Sequence, residues 1–515
     1  MNNIIYLINR LIKKYHNQKI INIFGYIYLI TQLNNVCKLL KNYKYYVKKI
    51  PYVKNEIDNK TNKTIEDIKK GFSEELKGVN SYSILPDNGL DKDIIISEFD
   101  NMREKYTYDY KNGYVSGSVY SNNKTLDSLH NTLYLYFNKS NPLHTNIFPS
   151  VRLMENNLVS MMIKLFNGNN NVCGTFTSGG TESILLACKT YRDYYLENKD
   201  IKNPEIIAST TAHCAFNKAC KYFNIKLILI PCNLDGTFDT QNLKKQINKN
   251  TILIVGSTPS YNLGIIDPID KLSKIALENN IPLHIDACIG SFLVNFTDKN
   301  FDFRLEGVTS ISADYHKYGN SPKGASCIMY NSNDLLKYQY YIDETWSGGI
   351  YASSTIAGSR PGNIVALTWA TLLYYGKNKY LENYETIIEL QKYLVEKINY
   401  MSDLYVIGDP ELSIVAIDSE TININILAEY LKRLKWDINV IQNPKGFHIC
   451  ITSYHTKEII DKFILDIESI IPNIADNNDY SPCIYGTMQK IGDNDIIKDV
   501  VAKYLHVVNN VKLNI

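Results

Sequence analysis

No Cys-x-x-Cys pair occurs among the ten cysteines of this 515-residue chain, so neither a zinc ribbon nor a disulfide-stapled scaffold is indicated, and no metal site is expected. Reduced thiols in the cytosol are the simplest reading. An excess of one charge is missing too. Lys and Arg number 55 against 53 Asp and Glu, a formal +2, which is too balanced for a protein that binds nucleic acid by neutralising phosphates. Any anion recognition must therefore be local. Nor is there a small-residue cleavage site of a signal peptide, an internal repeat or a low-complexity tract. With 45% hydrophobic and 21% charged residues, the chain is neither disordered nor multispanning. Its length suits about three folding units, or one large α/β enzyme with a small companion domain.

Long uncharged runs are scarce. One, IINIFGYIYLITQLNNVC at 20–37, reaches the lower bound for a membrane-spanning helix, but Asn22, Gln32, Asn34 and Asn35 would put amides into hydrocarbon. A span, an amphipathic surface helix and a buried docking helix all remain open, and basic residues on both sides give no orientation. Residues 51 to about 90 are polar and charged, as in a linker with a solvated helix.

From about residue 150 short apolar runs alternate with helical stretches: IIAS at 206, LILIP at 227, ILIVGS at 252, PLHIDA at 282, SISAD at 310 and CIMYN at 327. Such alternation predicts an α/β fold whose mostly parallel sheet is covered on both faces. Beyond 376 a smaller α/β unit is expected from SIVAID, NILAEYLKRLKW, FHICIT and KEIIDKFILDIESII. The resulting division is an N-terminal membrane-associated or docking segment (1–50), a linker and helical segment contributing to the active site (51–150), a large domain (151–375) and a small C-terminal domain (376–515).

In an open parallel sheet ligands collect past the carboxyl ends of the strands, and four places there carry chemistry. TSGGTES (177–183) opens a helix, so its free N–H groups could hold a phosphate with help from Ser178 and Thr181; a Gly-Gly turn capped by Thr is the plainer alternative. Asp286, in His284-Ile285-Asp286-Ala287, could keep a ring nitrogen protonated, or merely cap a turn. SISADYHKYGNSPKG (310–324) places Asp314, His316, Lys317 and Lys323 after another strand. A lysine half-buried beside other cations loses its proton more easily and suits Schiff-base chemistry; two solvated loop lysines are the alternative. His213 in TTAHCAF could stack on an aromatic cofactor or be a core histidine.

Taken in order along one domain, phosphate turn, stacking His, ring-nitrogen Asp and Lys resemble the fold-type I pyridoxal-phosphate enzymes of the group II decarboxylase branch, and within it the sphingosine-1-phosphate lyase family. The shared runs are VSGSVY (115–120), NPLHTNIFPSVR (141–152), CGTFTSGGTESILLACKTYRD (173–193), HIDACIGSF (284–292), GVTSISADYHKYGNSPKGAS (307–326) and GGIYASSTIAGSRPGN (348–363). The resemblance implies the fold-type I transferase fold, with a large sheet domain binding pyridoxal 5'-phosphate and a small C-terminal domain. It implies Lys317 as the lysine that carries the cofactor, Asp286 on the pyridinium nitrogen, His213 on the ring, and Ser178, Gly180, Thr181 and His316 near the cofactor phosphate. Tyr120, Asn141, His144 and Lys323 match residues around a substrate phosphate, some reached from a second subunit of a homodimer, and Tyr261 and Tyr351 match tyrosines at the reacting carbons. Retro-aldol cleavage of a phosphorylated sphingoid base to a fatty aldehyde and phosphoethanolamine is the activity implied; amino-acid decarboxylation is the alternative. Membrane association with the catalytic part in the cytosol, endoplasmic-reticulum-like, is implied as well, or a cytoplasmic enzyme if 20–37 is not a span. In PSYNLG (259–264) the chain departs from the family's usual Pro after the aromatic residue.

Overall fold

The computed structural model describes residues 51–105, 108–474 and 494–510, which fall into two units. The uncharged run 20–37 lies outside them, and among the described residues no helix is long and apolar enough to cross a membrane. One unit contains the helices Pro51–Glu75, Lys92–Arg103 and Asn494–Asn510. The first and last of these pack together, with Ile65 buried and the Phe72 and Tyr504 rings 6.4 Å apart. The polar stretch after residue 51 is thus a helix with one covered face, and the chain's last described segment belongs with it and not with the small domain expected over 376–515.

In the other unit, seven strands form one sheet: β1 (Cys173–Thr177), β2 (Glu205–Ser209), β3 (Lys226–Ile230), β4 (Thr251–Ser257), β5 (Leu283–Asp286), β6 (Val308–Asp314) and β7 (Ser326–Tyr330). Their order is β1-β7-β6-β5-β4-β2-β3, and β7 alone runs against its neighbours. Every residue of β4, TILIVGS, is buried, as a strand covered on both faces requires. Ile206 and Ala208 join one core layer while Ile207 joins the other, following the two-residue period of a strand. Helix Gly180–Lys199 covers one face through Ile184, Ala187, Cys188 and Tyr191; on the other, helix Pro149–Leu165 lays down Val151, Met154, Leu158 and Met162 at the three- and four-residue spacing of a buried stripe.

A hairpin follows, β8 (Tyr341–Asp343) with β9 (Tyr351–Ser353), and then helix Gly362–Tyr400, which is interrupted at Gly376 where φ reaches 60°. The small sheet is antiparallel, in the order β10 (Tyr405–Val406), β11 (Ile414–Asp418), β13 (Gly446–Cys450), β12 (Asn439–Ile441). Leu427, Leu431, Phe463 and Ile467 on its two helices are buried, and the Trp436 indole N–H donates to Asp466 at 2.9 Å. The VSGSVY run is docked here: the Ser116 N–H donates to the Asp437 carbonyl (2.8 Å) and the Gly117 N–H to that of Cys450 (2.9 Å).

Candidate active site

Because β1, β2, β4, β5 and β6 are mutually parallel, their carboxyl ends share one edge of the sheet and the loops leaving them converge. β1 delivers Ser178 and the Gly179-Gly180 turn, β2 His213, β4 Tyr261, β5 Asp286, and β6 Asp314, His316 and Lys317. A cavity of about 400 Å³ is lined by Ser178, Gly180, Thr181, His213, Tyr261, Asp286, His316 and Lys317, so eight residues singled out in the sequence meet in one place. Tyr120, Asn141, His144, Lys323 and Tyr351 are not part of that lining.

The turn after β1 is glycine-capped: Gly179 precedes the helix and offers no side chain to the first-turn N–H groups, which leaves them available to an anion. Glu182 braces the turn, accepting the Ser178 N–H on Oε2 (2.6 Å) and the Ile356 N–H on Oε1 (2.9 Å). A side chain at Gly180 would crowd two neighbours. A Cβ there would sit 2.7 Å from Cys288 Sγ and 3.0 Å from Asp314 Oδ1. Below the turn the antiparallel β7 acts as a wedge, its Ser326 paired in register with both Thr177 and Asp314. Ser183 Oγ joins Thr177 Oγ1 (2.6 Å) to Ser326 Oγ (2.9 Å), so the turn and the lysine loop are tied through buried hydroxyls.

Lys317 is held by a carboxylate. Its Nζ lies 3.1 Å from Asp314 Oδ2, and His316 Nε2 is 3.4 Å from the same oxygen, with Asp314 only 1% exposed. Burial alone would push the Lys317 ammonium down, but Asp314, with Cys288 and Asp286, outweighs it, and the pKa ends above the ordinary lysine value. For Asp314 the same balance runs the other way: burial raises it, Lys317 and His316 more than offset that, and it stays below the carboxylate range. This corrects the expectation of a lysine made less basic by neighbouring cations. That description fits Lys323, which desolvation and the positive charge of Lys317 push down to about 8.

Asp286 is buried at the end of β5 and its Oδ1 accepts the Cys288 N–H at 3.0 Å. Two residues earlier, on the same face, His284 is enclosed by the Ser310 and Ser312 hydroxyls (2.8 and 3.2 Å) and pushed down to about 4 by burial, a neutral histidine supporting the strand. His213 is not a core histidine. It is half-buried on the cavity wall, where its Nδ1 accepts the Ala215 N–H (3.2 Å).

The remaining residues form an outer group. Lys323 Nζ donates to the His316 carbonyl (3.2 Å) and lies 4.6 Å from the centre of the Tyr120 ring, which packs edge-on to Tyr318 at 5.0 Å. Asn141 holds the loop after β9, accepting the Arg360 N–H (3.2 Å) and donating to Ser359 Oγ (3.0 Å). His144 is exposed, and Tyr351 lies in the hairpin between Trp346 and Tyr341. Asp314 stood in the lysine motif without a role, and its place three residues before Lys317 was the available signal. Glu182 gave none beyond being four residues from Ser178.

These residues fit pyridoxal phosphate: an amine, a second buried carboxylate, a wall-forming imidazole and a glycine cradle that any Cβ would fill, with Asp314 Oδ1 buried and without a hydrogen-bond partner among the described residues. Comparison with known proteins agrees. The family described as the pyridoxal-dependent decarboxylase conserved domain matches residues 118–419. Sphingosine-1-phosphate lyase 1 of Rattus norvegicus is 38% identical over 473 residues, 89% of this chain and 83% of the relative. The Saccharomyces cerevisiae sphingosine-1-phosphate lyase is 38% identical over 458 residues, covering 86% and 77%. Among solved structures, the Burkholderia pseudomallei sphingosine-1-phosphate lyase superposes with a TM-score of 0.75 at 30% identity, over 78% of this chain and 94% of that one. Lactobacillus brevis glutamate decarboxylase, at 20% identity and a TM-score of 0.67 over 79% and 98%, shares the fold. With its lysine, carboxylates and glycine turn gathered at the strand ends of this fold, the chain is a pyridoxal-phosphate-dependent enzyme of fold type I and belongs to the sphingosine-1-phosphate lyase family.

Proposed function

We propose that this enzyme cleaves phosphorylated sphingoid bases between carbons 2 and 3, giving a fatty aldehyde and phosphoethanolamine. The observation that carries the reading is Lys323. It stands outside the lining of the cofactor cavity, over Tyr120, and among the described residues it pairs with no carboxylate. A cation that forms no direct ion pair among the described residues, beside a partly desolvated site, suits a second phosphate, which an amino acid awaiting decarboxylation does not carry.

When bound, pyridoxal phosphate supplies an aldehyde that condenses with amines and a ring that accepts the electron pair of a breaking bond. Lys317 would provide the amine that holds it. The Asp286 carboxylate would keep a proton on the ring nitrogen, and the His213 imidazole would form a wall for the ring. The first-turn N–H groups after Gly179, with Ser178 and Thr181, would hold its phosphate; Lys323 and Tyr120 would hold that of the substrate. Lys317 and Tyr261 are the side chains here assigned to proton transfer at the reacting carbons.

Asn141, His144 and Tyr351 complete the site in this reading from a second copy of the chain. Supporting it, the hairpin and the loop beyond it expose Trp346 (55%), Ile350 (80%) and Ile356 (58%), apolar side chains that one chain leaves uncovered. Light scattering of the loaded enzyme is expected to give twice the chain mass. A fully active monomer would overturn the shared site.

Incubation with sphingosine 1-phosphate and pyridoxal phosphate should release fatty aldehyde; carbon dioxide from amino acids instead would select the decarboxylase. Lys323→Ala and His144→Ala are expected to lower kcat/KM for the phosphorylated base about ten- to hundredfold, the effect of losing one charge-assisted bond worth about 1.5–3 kcal/mol, with the absorbance of bound cofactor unchanged. Because Lys323 is cationic below about pH 8 and neutral above it, KM for the phosphorylated base should rise as pH passes that value. Lys323→Ala should lack this alkaline rise.

A further inference from the structure

Tyr261 is held from the small sheet, by residues far along the chain. Its ring meets that of His448 on β13 edge-on, with centroids 4.9 Å apart at 87°, and its hydroxyl donates to Asn439 Oδ1 on β12 at 3.3 Å. What lies behind Asn439 dictates the direction of that bond. Ser116 presents acceptors to Asn439: its carbonyl oxygen, which can only accept, is 3.5 Å from the amide nitrogen, and its Oγ, which also accepts the Cys450 N–H at 2.8 Å, is 2.8 Å from it. The amide of Asn439 accordingly faces Ser116 with its nitrogen and Tyr261 with its oxygen. An oxygen acceptor at Asn439 takes the phenolic hydrogen of Tyr261 and leaves the lone pairs of its Oη directed away from that bond.

His448 fixes the loop that carries the ring. It is wholly buried, and its Nδ1 lies 3.0 Å from the Asn262 carbonyl, so this nitrogen bears the ring hydrogen. Burial pushes its pKa down to about 4, which keeps it neutral at pH 7. The loop also closes on itself: the Gly264 N–H donates to the Ser260 carbonyl (2.9 Å), and Gly264 adopts φ +75° with the Ile414 carbonyl oxygen 2.4 Å from where a Cβ would be. Asn262 stands where the family usually has Pro, and the His448 contact to its backbone carbonyl needs no particular side chain there.

We propose that Asn439 is a positioning residue for Tyr261, setting the direction of its O–H bond, so that the small domain takes part in carbon–carbon cleavage without touching the substrate. The assignment rests on the lyase reading above. It is tested on the loaded enzyme with sphingosine 1-phosphate, by comparing Asn439→Ala, Tyr261→Phe and the double variant. Asn439→Ala is expected to lower kcat about three- to tenfold, with KM and the absorbance of bound cofactor unchanged. In the Tyr261→Phe background the same change should alter kcat by about twofold or less, because the bond it removes is already gone. Asn439→Asp keeps an oxygen toward the phenol but replaces the nitrogen that donates to Ser116 with a second acceptor, so it should recover only part of the loss. Equal fold-losses in both backgrounds, or unaltered kcat in Asn439→Ala, would overturn the positioning role. Full activity in Tyr261→Phe would remove Tyr261 from the reaction and the assignment with it, while an unaltered enzyme that cleaves no phosphorylated base would overturn the lyase reading itself.

Discussion

Lys317→Ala is expected to abolish turnover, by about a thousandfold or more, and to remove the covalent cofactor absorbance. The cavity supplies one lysine at the focus of the strand ends, held at 3.1 Å by Asp314, and Lys323 is directed instead at the His316 carbonyl and the Tyr120 ring. Borohydride reduction followed by peptide mapping should therefore find the cofactor on Lys317, and a label on Lys323 would overturn the assignment. A stability cost accompanies the loss of activity. Asp314 is 1% exposed and its charge is sustained by Lys317 and His316, so removing the lysine leaves a buried carboxylate short of its main partner. Urea unfolding of the cofactor-free variant at pH 7 should show this cost, and Lys317→Met, which refills the space, should share the loss of activity.

The second large effect is expected from Asp314→Asn. Breaking a buried ion pair from one side costs about 3–5 kcal/mol, because the surviving charge keeps its desolvation penalty and loses its compensation. The variant should be destabilised at pH 7, and Lys317 should become less basic, since burial would no longer be outweighed. The pH dependence has a definite sign. A carboxylate held below its unfolded value contributes stability above the ordinary carboxylate pKa of about 3.9 and loses it as pH falls through the folded value. Lys317, raised above its ordinary value, contributes at every pH below that and does not alter the acid side. The difference in melting temperature between the unaltered chain and Asp314→Asn should thus be full at neutral pH and shrink below about pH 4. A difference that stays constant down to pH 3 would show that Asp314 acts through its shape and not its charge.

Runs such as ILIVGS and SISAD announced buried strands by themselves, because a strand covered on both faces has no polar side to show, and the runs IIAS, ILIVGS and SISAD end three or four residues before His213, Tyr261 and Lys317. Local order thus sufficed for the turn at Ser178, for Asp286 and for Lys317, since in a parallel sheet the strand ends bring such residues to one edge whatever the loops do. The charge state of Lys317 was not legible. Neighbouring cations in the sequence argued for a weak base, but β6 turns Asp314 onto the ammonium and reverses the sign. The reversed strand β7, which ties the phosphate turn to the lysine loop through Ser326, looked like any other apolar run, as strand direction depends on the connection and not on composition. Asn439 and His448 lie in unremarkable segments of the small domain, and their hold on Tyr261 exists only once two sheets pack together. Hydrophobic pattern and strand-end chemistry are local and survive in the sequence; which donor meets which acceptor across a sequence separation of 178 is decided by packing alone.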